Sequence, residues 1–160
     1  MPIRVADDVF GPPDWDGCYE RTAFEVVSDA PPAALSAALH ATGDRWMCLT
    51  DTGDDLSHLE WGGQEFHDAL ERLRVEQGRE EEPYTPNYVY PVEKRGRGMA
   101  LAADCKGAMT KAMADAVLRV LREELARAGV EDADVVAESP HDGGPHVYYN
   151  EDGTTRLSYR

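Results

Sequence analysis

The residues best able to do chemistry lie between Lys94 and Lys111, in the run KRGRGMALAADCKGAMTK. It holds five bases against one acid, inside a chain of 160 residues whose net charge is −15. A helical pattern is expected to begin at Gly107. Arg95, Arg97 and Lys106 would then surround the unpaired N–H groups of a helix N-terminus, which suits an anion such as a phosphate or carboxylate. Cys105 would stand beside the same terminus, where a thiol loses its proton more easily. His141, in the loop Pro140-His141-Asp142-Gly143-Gly144-Pro145, is the base that such a site lacks nearby. Arg95, Arg97, Cys105, Lys106 and His141 therefore form the candidate set for an anionic small molecule. The motif is unspecific: there is no phosphate-binding GxxxxGK[ST], and Gly96 and Gly98 lack the further glycine of a dinucleotide loop. A basic turn followed by surface lysines explains the same residues, so none is assigned a catalytic role.

Acidic residues make the second group. Asp51, Asp54, Asp55, His58 and Glu60 offer oxygen and nitrogen ligands, but their spacing does not match a calcium loop, and no metal or cofactor is expected. Within this group Asp51-Thr52-Gly53 resembles the signature tripeptide of aspartic proteases. The resemblance covers only these residues: Thr50 stands where an apolar residue belongs, and no second apolar-apolar-Gly segment follows. A hairpin turn accounts for the tripeptide. Glu80, Glu81 and Glu82 lie beside Tyr84 and Tyr88, and Tyr provides contact area at low entropic cost with a polar end. These five residues are the candidate partner surface.

The elements expected to carry these groups follow from periodicity. From Met109 onward Ala112, Met113, Ala116, Val117, Val120 and Leu121 fall on one side of a helix spanning about 107–128, the longest in the chain. Gly129 is its expected left-handed stop. Ala33 to Ala41 forms a short helix ending at Gly43, and Gln64 to Gln77 a third with a stripe of Phe66, Ala69, Leu70 and Leu73. Strands are expected at Thr22 to Ser28, Arg45 to Thr50, Leu56 to Trp61, Tyr88 to Glu93, Met99 to Ala103 and Ala133 to Glu138. A terminal hairpin pairs His146 to Tyr149 with Thr155 to Tyr159 around Asn150-Glu151-Asp152-Gly153. Residues 1–20 read as an irregular acidic arm, and 21–160 as one domain. The fold class is α+β: a two-layer sandwich, mainly antiparallel, with three helices on one face.

Composition bounds the function. Three widely spaced cysteines, Cys18, Cys48 and Cys105, form neither a disulfide framework nor a zinc module. No apolar leader or membrane-spanning run is present, which fits a cytoplasmic protein. Thirty-one acids against sixteen bases repel DNA, RNA and anionic lipid and attract basic proteins. Only three of the bases are Lys, which suggests a GC-rich bacterial genome. The favoured expectation is a non-catalytic acidic protein, an inhibitor of the immunity type or an accessory subunit, that recognises a basic protein partner. The alternative is a small enzyme or ligand-binding domain for an anionic molecule at the N-terminus of the long helix.

Overall fold

The computed structural model describes residues 3–7, 9, 19–80, 87–93, 99–137, 146–149 and 155–158, with side chains at 3–7, 9, 24–80 and 110–136. In chain order the elements are β1 (Ile3–Val5), β2 (Tyr19–Val27), α1 (Pro32–Trp46), α2 (Gln64–Glu76), β3 (Asn87–Glu93), β4 (Met99–Met109), α3 (Lys111–Arg127), β5 (Ala133–Ala137), β6 (His146–Tyr149) and β7 (Thr155–Ser158). Strands β1 to β5 form a sheet in the order β1-β5-β2-β4-β3, and β6 and β7 pair separately. Helices and sheet together make an α+β chain. The expectation of a mainly antiparallel sheet is corrected to a mixed one, because β1 runs parallel to β5 with Ile3 opposite Ala133. That strand falls inside the stretch expected to be an irregular arm. Val9, also in that stretch, is 3% exposed within the main core.

Alternation along β2 and β5 sets the core. Phe24 and Val26 of β2 and Ala133 and Val135 of β5 point to one face and are buried against α1 and α3. Glu25, between Phe24 and Val26, projects to the opposite face and is also buried. Helix α3 contributes the largest share, with Met113, Ala116, Val117, Val120, Leu121 and Leu125 all buried. Its burial continues into the last turn because Leu125 lies on the same side. Gly129 closes the helix at φ +80°, with Val130 N–H bonded to the Leu125 carbonyl at 2.9 Å.

Helix α1 is longer than its sequence suggests. It runs through Gly43 to Trp46, replacing the strand expected at Arg45 to Thr50. A glycine in a helix costs about 1 kcal/mol relative to Ala. Against that, Thr42 and Trp46 extend the buried row Leu35, Ala38 and Leu39, and Trp46 is completely inaccessible. Burying one large aromatic is worth about 2–3 kcal/mol, so packing wins. The strand expected at Leu56 to Trp61 is also absent. A single antiparallel bridge, Leu49 with Asp55, closes the loop after α1.

That loop builds a second, smaller core. Cys48 and Leu56 pack with Phe66 and Ala69 of α2, and Leu59, Leu70 and Leu73 lie against them. Helix α2 therefore rests on the 48–59 loop. No helix among the described residues is long and apolar enough to cross a membrane.

Candidate functional site

Helix α3 begins later than its periodicity suggests. Residues 107–109 continue β4, where Tyr19 pairs with Met109 and Asn87 with Cys105. Cys105 and Lys106 thus belong to a strand and do not flank the helix start, so the premise that grouped them with a helix terminus is removed. Arg95, Arg97 and His141 lie outside the described residues. The true N-cap is Thr110, whose Oγ1 accepts from Met113 N–H at 3.2 Å.

The chain itself fills the space beside that cap. Thr110 Oγ1 donates to the Asp51 carbonyl, and the Arg119 guanidinium reaches the Gly53 carbonyl at 3.3 Å. A Cβ on Gly53 would stand 2.9 Å from the Ala112 carbonyl oxygen. Only a glycine fits there, and its φ of +83° demands one as well. Asp51 is gripped by Arg79 through two bonds of 2.8 and 2.5 Å. Asp54 accepts from Thr50 at 3.1 Å and from Gln77 at 3.2 Å, and also from the Thr52 hydroxyl. The Asp-Thr-Gly turn is consequently a joint that fastens the end of α2 to the start of α3. Its carboxylates are engaged in structure.

A second charged joint centres on Arg45, whose side chain is only 17% exposed. It bonds Asp55 at 2.8 Å, Glu123 at 2.7 Å, Glu124 at 2.9 Å and the Ser57 hydroxyl at 3.1 Å. Arg127 also bonds Glu124, at 2.7 Å. Burial opposes the charge on Arg45, but its bonds to Glu123, Glu124 and Asp55 prevail and raise the guanidinium above its ordinary pKa. Burial likewise opposes the charge on Asp55. Hydrogen bonds from Ser57 and then Arg45 outweigh it, holding the carboxyl below the usual range. Burial, followed by the Asp55 charge, pushes the Cys48 thiol up. Cys48 is 4% exposed, so it is poorly suited to act as a nucleophile.

Beside these joints the 54–59 loop and α2 enclose a cleft of about 540 Å³. Leu56, Leu59, Ala69 and Leu73 form its apolar part. Five carboxylates, Asp54, Asp55, Glu65, Asp68 and Glu76, share its lining with His58 and Arg72. Asp54 and Asp55 are held in the joints, and Asp68 accepts from Gln64 at 2.9 Å. Glu65, Arg72 and Glu76 have no ion-pair partner among the described residues. An unpaired acid on a cleft wall is available to a cation from outside. A shallower cleft of about 380 Å³ lies near β1 and β5, where Arg4 bonds Asp132 at 2.7 Å and Asp134 at 2.6 Å. No group of three or more His, Cys, Asp or Glu side chains among the described residues is arranged to hold a metal.

Of the expected partner surface, Glu80 is exposed just beyond α2, and Tyr88 lies in β3 opposite Asp104. Glu81, Glu82 and Tyr84 lie outside the described residues. Asp54, Asp55 and His58, considered above as cation ligands, do meet in one cleft. Glu65, Asp68, Arg72 and Glu76 were legible in principle. They are spaced by three, four and four residues, which places them in one row along α2. Protein-family models, curated proteins and solved structures provide no match to this chain.

Proposed function

We propose that this chain is a non-catalytic acidic binding protein of the cytoplasm, an inhibitor of the immunity type or an accessory subunit, and that it holds a basic protein partner. A two-layer α+β body carries the site. The observation that supports this reading is the cleft along α2, whose apolar floor is lined by five carboxylates, two of them held in the joints, and one guanidinium. Exposed acids beside an apolar floor favour Lys and Arg side chains, whose aliphatic stems cover the floor while their charges reach the rim. The net charge of −15 adds a long-range attraction that speeds encounter with a basic partner. Among the described residues, Cys105 and Lys106 belong to β4 and not to the start of α3, which leaves the alternative anionic ligand without the helix terminus it was placed on.

Binding of a cationic globular protein, with an acidic one of equal size as control, tests the reading. Affinity for the cationic protein is expected to fall steeply between about 50 and 300 mM salt, where screening shortens to within a few ångströms of contact. Glu65→Gln and Glu76→Gln together should weaken it about tenfold, two exposed pairs of roughly 0.7 kcal/mol each. Equal binding of both probe proteins, or no binding of either, would overturn the proposal.

A further inference from the structure

The charges lining the cleft have an order as well as a sign. Along α2 the row reads acid, acid, base, acid at Glu65, Asp68, Arg72 and Glu76, and it spans about 16 Å at 1.5 Å per residue. The spacing by three and four residues is that of one helix face. A second helix laid along the row presents its own side chains at the same interval, so charges can meet one to one. Arg72 is the informative member. It is exposed and has no ion-pair partner among the described residues, although Asp68 and Glu76 are each four positions away. In a wall that attracts cations it repels a purely basic segment at that one place.

From this order we infer that the partner docks an amphipathic basic helix into the cleft, with one acidic residue opposite Arg72 and bases on either side. Apolar residues of the same helix face rest on Leu59 and Leu73. The inference depends on the proposed function and names the form of the partner. A second copy of this chain is a poor occupant, because two bodies each at −15 repel one another. A free polyamine matches the acids but has nothing to offer Arg72.

Synthetic helical peptides of 15 residues test the order. Each carries four charged positions at the spacing of the row, with three Lys and one Glu, and the same Leu residues between them. In one isomer Glu is at an inner position, and in the other it is at an end. An inner Glu can face Arg72 in one of the two peptide orientations. An end Glu always faces Glu65 or Glu76. Wild-type protein should bind the inner isomer about tenfold more tightly, the scale of two exposed ion pairs gained and two like-charge contacts avoided. Arg72→Glu should abolish that preference and favour a peptide with four Lys. Equal binding of the two isomers overturns the ordered helix while leaving the proposed function standing, provided that Glu65→Gln and Glu76→Gln still weaken both. Failure of every peptide, while the cationic protein binds, also overturns the helix alone. Failure of both kinds of probe removes the proposed function with it. Spermine binding as tightly as the inner isomer, or self-association of the protein in sedimentation, points to the other occupants and counts against the inference.

Discussion

At the scale of single residues, two positions hold more than their size suggests. Gly53 combines a left-handed φ of +83° with a close approach to the Ala112 carbonyl, so an alanine there meets both a backbone penalty and a clash. Gly53→Ala is expected to lower stability by about 2–3 kcal/mol, read from denaturant unfolding. An effect below 0.5 kcal/mol would mean that the turn does not lie against α3. Arg45 is the other position, since it neutralises acids from the loop and from α3 together. Arg45→Met should cost about 2–4 kcal/mol at neutral pH, less than a fully orphaned buried charge because Arg127 still bonds Glu124. The sign with pH follows from Asp55. Its folded pKa is depressed, so its contribution is complete above the ordinary carboxylate pKa and is lost as pH falls through the folded value. The gap between wild type and Arg45→Met should therefore narrow in acid, and a gap that stays constant from neutral pH to strong acid would exclude this network as its source.

At the scale of elements, the start of α3 shows how a cap can do two jobs. Thr110 caps the helix through Met113 N–H and donates to the Asp51 carbonyl, so the same hydroxyl starts α3 and holds the turn. Thr110→Ala should destabilise by about 1–2 kcal/mol. In a double-mutant cycle with Gly53→Ala the two losses should fall short of additive, because each releases the same turn from the same helix end. Strict additivity would show that the cap and the turn are independent. The elements differed in how legible they were. Helix α2, the buried row of α3 and the glycine stop at Gly129 follow from periodicity and turn chemistry. The run Arg45 to Thr50 does not, because a short apolar stretch fits a central strand as well as the end of a buried helix. Trp46 settles the matter by filling the core between α1 and α3.

At the scale of the whole molecule, a charge of −15 sets a background against which every local interaction acts. Raising salt from about 10 to about 150 mM shortens the screening length from about 30 Å to about 8 Å, relieving self-repulsion while leaving the buried Arg45 contacts largely intact. The thermal midpoint should rise over that interval and then level off. A climb that continues into molar salt would instead identify the acidity as adaptation to salt. The amino-acid sequence by itself determined the charge, the three helices, the terminal hairpin and most strand positions, because these depend on composition and on spacing within a few residues. Only the tertiary structure decided that β1 joins the sheet in parallel, that α1 passes Gly43, and that Cys105 and Lys106 sit in a strand. It also brought the 54–59 loop and α2 together as walls of one cleft. Such placements depend on contacts between residues distant in the chain, where burying a tryptophan or bonding a buried arginine outweighs local preference. The same competition turned a run of ordinary turn acids, Asp51 to Asp55, into the joint on which the proposed binding site rests.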